Sequence, residues 1–324
     1  MEPADRSLTR LTDLEEPIIV RPSLLSSEEL WQYAPDVGVY LARPAPTWLD
    51  ELDLHTGEPF VRMGTRTTPF DEWFVIDDAF EAEVALRRRL LAEQRDVVFG
   101  CATTADEAAQ EVLVLVSAWL QERGLPVPLF DDHPLAVAGT LVPDDLCLMI
   151  PREGDWWFDG ASLSFPSIWR LSDKFGRPTT DVHSTVAHYR DVLAEKVDRY
   201  FTGMPVDRLV RRRNLSVKPW PLLHVPTTKP EQPVGQLIPD ATGAPFWLRS
   251  ERQTLRRLPR TGAILFTIKV QIAPAGVLRQ RPDIAARLAA MYRSFDSAMD
   301  DYKAAVNDLN VGFVPWLENL LPGA

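Results

Sequence analysis

Apolar residues at helical spacing first appear between Asp77 and Arg95, where DDAFEAEVALRRRLLAEQR sets Phe80, Val84 and Leu91 along one side. Acids open this segment and arginines follow, the order that the helix dipole prefers, so the pattern predicts a helix. A second helix is expected from Thr104. Its hydroxyl stands three residues before Glu107, the capping-box spacing, and AAQEVLVLVSAWLQERG then runs to a glycine stop. Between Leu141 and Trp169 the period shortens: the apolar runs LVPDDLCLMI and GDWWFDGASLSFP are divided by turn residues, which predicts hairpin-like β structure with a turn at Asp159-Gly160.

After Asp173, the stretch KFGRPTTDVHSTVAHYRDVLAEKVDRYFTG reads as a loop carrying His183, then a helix from about Val186 to Phe201 that ends at Gly203. Seven prolines between 219 and 245 exclude a regular helix or a central strand there, leaving a functional loop or a covering strap. SERQTLRRLPRTGAILFTIKVQIAP predicts two strands, or a helical turn and a strand, joined across Pro259 to Gly262. A final helix is expected from Pro282 to Asn307, with Leu288, Met291, Phe295, Met299 and Tyr302 on one face. The first 60 residues, rich in Pro, Asp and Glu, read as an irregular wrap, and 61–324 as one domain with helical additions. No internal repeat is visible.

Composition narrows the class. With 324 residues, 45% hydrophobic, 25% charged and 9% aromatic, the chain has the balance of an ordinary folded protein with a full core. A net charge of -11 and a pI near 5.0 repel polyanions, which excludes a general nucleic-acid binder. Cys101 and Cys147 stand far apart with no second pair to complete a zinc or iron–sulfur ligand set, and are read as reduced, buried thiols. MEPADRSLTRLTDLEEP lacks the basic start and apolar run of a signal peptide, and no run of about 18 apolar residues follows, so no membrane span and a cytoplasmic protein are expected.

Phosphate-loop, dinucleotide and nucleophile-elbow signatures are missing, which removes the commonest enzyme classes. The histidines are His55, His133, His183, His188 and His224. His183 and His188, five apart, would sit about 140° apart on a helix and share no metal-binding face. One imidazole is nevertheless enough for haem, which needs an axial ligand, apolar walls and cations for its propionates. His183 offers the ligand, the region from Phe158 to Trp169 with Phe175 the walls, and two basic groups the cations: Arg211 to Arg213, and Arg249, Arg252, Arg256, Arg257 and Arg260. Guanidinium suits carboxylates because it binds them with two parallel hydrogen bonds. Spacing alone leaves alternatives open. A single histidine is more often structural, arginine runs are more often solvated, and Trp156, Trp157 and Trp169 are more often core.

Several separated stretches carry a resemblance. They are VRMG at 61–64, LVPDDLCLMI at 141–150, SFPSIWRLSDKFGRP at 164–178 with the following DVH, VDRYFTGMPVDRLVRRRN at 197–214, and RSERQTLRRLPRTGAILFTIKV at 249–270. In order and rough spacing the chain resembles the haem-dependent oxidative N-demethylase family, also described as dimethylamine mono-oxygenase haem subunits. The resemblance implies an α+β fold, a PAS-like antiparallel sheet with surrounding helices and long N-terminal and proline-rich elaborations. It implies haem b, dioxygen activation and oxidation of an N-methyl group of a small secondary amine with formaldehyde release. Carried over residue by residue, it makes His183 the axial iron ligand and Arg252, Arg256, Arg257 and Asn214 candidates for propionate or pocket contacts. The chain departs from the family pattern after His183, where STVAHY replaces a proline-containing step, and His188 within it is either a surface residue or a second polar group near the haem. No flavin, nicotinamide or iron–sulfur signature is present, so electrons from NAD(P)H are expected through a separate flavin or iron–sulfur reductase subunit. The rival expectations are a non-catalytic haem or small-ligand binder and a haem-free structural homologue.

Overall fold

In the computed structural model, which describes residues 45–58, 62–152, 154–184, 186–218, 220–227, 246–303 and 309–321, seven strands form one sheet. They are β1 (Arg66–Thr68), β2 (Phe99–Cys101), β3 (Asp145–Arg152), β4 (Asp155–Ser162), β5 (Leu209–Lys218), β6 (Trp247–Arg257) and β7 (Ile264–Pro274), in the spatial order β1-β5-β6-β7-β3-β4-β2. The β1–β5, β2–β4, β3–β4 and β3–β7 pairs are antiparallel. Helices surround the sheet, so the α+β expectation holds. They are α1 (Phe80–Glu93), α2 (Arg95–Val98), α3 (Asp106–Gln121), α4 (Pro134–Gly139), α5 (Thr179–Val182), α6 (Tyr189–Val192), α7 (Ala194–Gly203), α8 (Pro282–Arg293), α9 (Ser297–Lys303) and α10 (Leu309–Glu318). The chain divides into two compact units, one of Met1–Phe60, Asn214–Ser250 and Gln271–Ala324, the other of Val61–Arg213 and Glu251–Val270, with three of the boundaries inside β5, β6 and β7.

The first unit has its own apolar core. Trp48 and Leu49 from a short 3-10 turn, Leu215 and Val217 of β5, Ile284 and Leu288 of α8, and Phe313 and Leu317 of α10 are buried together. Pro282 opens α8 at a position where its missing N–H costs nothing. The expected single helix from Pro282 to Asn307 is divided. Asp296 accepts the Met299 N–H at 2.8 Å through its carboxylate, and this cap starts α9 after α8 has ended at Arg293. The proline-rich stretch from 228 to 245, Asn307 and most of the N-terminal wrap lie outside the described residues.

In the second unit, strand alternation builds two cores on opposite faces of the sheet. Leu146 and Leu148 of β3, Leu209 of β5 and Leu265 of β7 pack with Val84 of α1, Val112 and Val116 of α3 and Leu135 of α4. Their immediate neighbours Cys147, Met149, Val210, Ile264 and also Leu255 pack with Leu171, Val182, Tyr189, Val197 and Phe201. Each fully buried Leu, Val or Phe contributes roughly 1.5–3 kcal/mol. The α1 helix buries two charged residues along with its apolar ones, and each finds a partner: Glu83 meets Lys269, while Arg87 donates to Asp145 at 2.5 Å, to the Gly139 carbonyl at 2.5 Å and to the Ser162 carbonyl at 2.9 Å.

Four sequence expectations change here. The helix expected from about Val186 to Phe201 starts at Tyr189 and is divided at Leu193 into α6 and α7. Thr104 does not cap α3: its hydroxyl donates to Asp159 at 2.8 Å, because Asp159 is buried and needs a donor, and a 3-10 turn from Thr103 to Ala105 leads into the helix instead. The β3–β4 turn is not at Asp159-Gly160. Arg152 pairs with Asp155, so the reversal falls at Gly154, whose φ of 89° is glycine territory. Asp159 is instead the extra residue of a bulge, since Leu148 pairs with Gly160 and Met149 with Phe158. Cys147 is buried as expected, but Cys101 is partly exposed; both are free thiols.

Candidate functional site

His183 caps the C-terminus of α5, a one-turn helix that starts after Pro178. The preceding KFGRP stretch is stitched to β4: Phe158 N–H donates to the Arg177 carbonyl at 2.9 Å and Gly176 N–H to the Phe158 carbonyl at 2.8 Å. Thr179 adds a hydroxyl bond to the Trp156 carbonyl at 2.8 Å. The short helix is therefore fixed to the sheet before His183 is reached.

The imidazole is oriented on two sides. Its Nδ1 lies 2.9 Å from the Thr179 carbonyl, an oxygen that only accepts, so Nδ1 carries the proton and Nε2 presents a lone pair. Tyr189 stacks on the ring at 4.5 Å between centroids and 15° between planes. Burial, with the charges of Lys174 and Arg212 adding to it and the Thr179 bond opposing it, pulls the imidazole down to about 4, so the ring is neutral at physiological pH. A neutral, single-tautomer imidazole with a free in-plane lone pair is what a metal ligand requires.

Lys174 stands beside this ring with Nζ 4.2 Å from the centroid of Trp169, and burial pulls its ammonium down to about 8 against the opposing pull of Glu251. Arg212 follows Val210 by two residues on β5 and thus shares its face of the sheet. Glu251 shares the face of Leu255 in the same way. The apolar surroundings are Met149, Phe158, Trp169 and Phe175, the two phenyl rings meeting edge to face at 6.4 Å. Ile168, directly before Trp169, has φ of 63°, a costly conformation for a β-branched residue of the kind that clusters at ligand sites. His188 also has positive φ, 60°, where histidine is enriched. It turns the chain into α6 and so brings Tyr189 over His183.

The arginines from sequence separate. Arg252 donates to the Trp73 and Glu72 carbonyls at 2.9 and 2.5 Å, and Arg256 lies 4.6 Å over the rings of Phe70 and Trp73. Trp73 belongs to the core on the other face, so the strand period takes both residues away from His183. Arg257 points to the face of Leu255 and donates to the Thr202 carbonyl at the C-terminal end of α7 at 2.9 Å, a favourable place for a cation. Asn214 belongs to the first unit, where its side-chain oxygen accepts from its neighbour Leu215 at 3.0 Å. Lys174 and Tyr189 were not singled out from sequence. Lys174 lies inside the quoted KFGRP motif, and its place in a motif with a histidine soon after was the available signal.

Comparison with known families decides what this face belongs to. The model of the family described as haem-dependent oxidative N-demethylase, alpha subunit-like, matches residues 64–124 and 120–310. The chain belongs to that family. The match to the haem-dependent oxidative N-demethylase, alpha subunit-like family takes in all seven strands and the whole His183 face, including Lys174, Tyr189, Arg212 and Glu251. The family is haem-dependent, and the residues present fit the group: one neutral imidazole with a free lone pair, two neighbouring cations and aromatic walls. Among the described residues, no helix is long and apolar enough to cross a membrane.

Proposed function

We propose that this chain is the haem-carrying subunit of an oxidative N-demethylase acting on a small secondary amine, and that Nε2 of His183 would hold the iron. The observation that carries the reading is the Thr179 carbonyl bond, which fixes the tautomer and leaves Nε2 as the coordinating atom. Lys174 and Arg212 would hold the propionates, with Trp169 and Phe175 against the macrocycle. Bound and reduced haem b supplies dioxygen activation for oxidising the N-methyl group, with formaldehyde and the shorter amine as products. The protein's part is to orient the imidazole through Tyr189, to keep water from the face with its aromatic walls, and to offer an anion, Glu251, on the same face as a cationic amine. An alpha subunit-like chain implies a partner subunit, and we assign that partner the delivery of electrons from NAD(P)H through a flavin or iron–sulfur centre.

Reconstitution with haem tests this directly. The wild-type chain is expected to give a Soret band that His183→Ala abolishes, and the loaded protein is expected to release formaldehyde from dimethylamine in the presence of reductant. A band that survives His183→Ala would remove the axial assignment. A band without formaldehyde would favour a non-catalytic haem binder, and no band at all would leave the haem-free homologue.

A further inference from the structure

Three donors of three chemical kinds converge at a place the haem reading does not use. Sγ of Cys101 at the end of β2, a carboxylate oxygen of Asp106 at the start of α3, and a ring nitrogen of His133 at the cap of α4 all lie within 4.8 Å of one another. We propose that Cys101, Asp106 and His133 bind one divalent transition-metal ion of the zinc class, as a clamp that ties β2 to the starts of two helices.

The donor set favours that class. Thiolate, imidazole and carboxylate together suit zinc or cobalt, whereas calcium and magnesium take oxygen ligands. Asp106 is exposed, so water has access to a fourth corner. Asp106 Oδ1 and His133 Nε2 already stand 3.2 Å apart, just under the roughly 3.3–3.4 Å that bonds of about 2.0–2.1 Å to one tetrahedral ion impose. Sγ of the partly exposed Cys101 completes the set within the same 4.8 Å.

The surroundings hold the ligands in place. His133 N–H donates to Asp132 at 2.6 Å, Asp132 is gripped by both ends of the Arg95 guanidinium at 2.7 and 2.8 Å, and the His133 ring lies 5.3 Å from that of Phe99. Cys101 is paired with Gly160 across the sheet, and buried Asp159 beside it adds a second acid whose charge reaches the sulfur, offset in part by Arg152 at 3.4 Å. Burial first, and the charges of Asp106 and Asp159 after it, push the Cys101 thiol upward, the wrong direction for a nucleophile, so a Cys–His–Asp catalytic reading is disfavoured. One cost is visible. Nδ1 of His133 accepts the Leu135 N–H at 3.2 Å, so Nε2 carries the ring proton toward Asp106; coordination at Nε2 moves that proton and gives up the cap bond.

The test uses the full, metal-stripped, haem-loaded chain titrated with Co²⁺ and, separately, Zn²⁺. One equivalent of Co²⁺ is expected to bind with a thiolate-to-cobalt charge-transfer band, and Zn²⁺ is expected to displace it. Cys101→Ser and His133→Asn should each lose the band; asparagine keeps a cap acceptor for Leu135, which separates ligation from helix capping. Cys147→Ala should keep it. In the wild-type chain, Zn²⁺ should also shield Cys101 from alkylation, a readout that stands if a variant fails to fold. Absence of a stoichiometric band, a band that survives Cys101→Ser, or alkylation of Cys101 at the same rate with and without Zn²⁺ would each overturn the proposal.

Discussion

Replacing Lys269 by methionine probes the buried charge cluster beneath the helical face. Lys269 is fully buried, its ammonium bonds to Glu83 and lies 3.6 Å from Asp77, and Asp144 is close enough to feel its charge. Burial already pushes Glu83 up to about 7 even though Lys269 pulls it down. Methionine keeps the stem and removes that pull, so the folded-state value of Glu83 rises further, each unit being worth about 1.4 kcal/mol. Removing one partner of such a pair costs about 3–5 kcal/mol where the other stays charged. The sign follows from proton counting. A carboxyl raised in the folded state binds more protons there than in the unfolded chain between 4.5 and about 7, so its contribution to stability improves as pH falls through that window and is worst above it. The variant, with Glu83 raised further, extends the window upward. Urea unfolding should therefore show a loss of about 3–5 kcal/mol near pH 8 that shrinks to about 1–2 kcal/mol near pH 5, with an unchanged m value. Adding Glu83→Leu should restore most of the loss. A deficit below about 1 kcal/mol near pH 8, or one equal at both pH values, would refute the reasoning.

Two contrasts test the rest of the unit. Gly139→Ala places a methyl group 1.9 Å from the Ser162 hydroxyl oxygen and 3.3 Å from the Arg87 guanidinium, so thermal melting should show a loss of at least about 1–3 kcal/mol, and a variant as stable as wild type would contradict the packing described. If the proposed haem site holds, Lys174→Met and Arg212→Met should each weaken haem binding about tenfold in a spectrophotometric titration, roughly 1.4 kcal/mol apiece, while leaving the position of the Soret band unchanged. Arg256→Met, on the other face of the sheet, should lower the melting temperature and leave haem affinity unchanged; an equal effect of all three arginine and lysine variants would erase the distinction between the faces.

Much of the fold was legible because its strands alternate cleanly. The β6–β7 hairpin follows from TLRRLPRTGAILF, where Gly262 takes a φ of 71° at the expected join. Other features depended on contacts remote in sequence. Beside the Asp159 bulge a side chain at Gly160 would meet Leu148 at 3.1 Å and Leu135 at 3.3 Å, so glycine is needed there, and neither neighbour is visible from the pair Asp-Gly. The break after Arg293 did leave a local trace, Asp296 three residues before Met299, that the apolar stripe masked. For the site, His183 could be singled out by its motif, but the Thr179 carbonyl that sets its proton is a backbone atom without any side-chain signature. The arginines show the sharpest limit. Arg256 and Arg257 are adjacent in the same motif, and only strand register tells which one shares a face with His183.

That period of two makes the central strands a mosaic of two inheritable tasks. Along β3, β6 and β7, saturation mutagenesis should beat in alternation: one set of positions reporting on the core that holds Val84, Val112 and Leu135, the interleaved set on the core that holds Leu171, Val182 and Phe201. A one-residue insertion inside β6 is a different kind of event, since it would trade Leu255 for an arginine on one side and bury the wrong neighbour on the other at a stroke. Lineages of this fold are thus free to drift by substitution in these strands while their lengths stay locked, and insertions should gather in the connections instead.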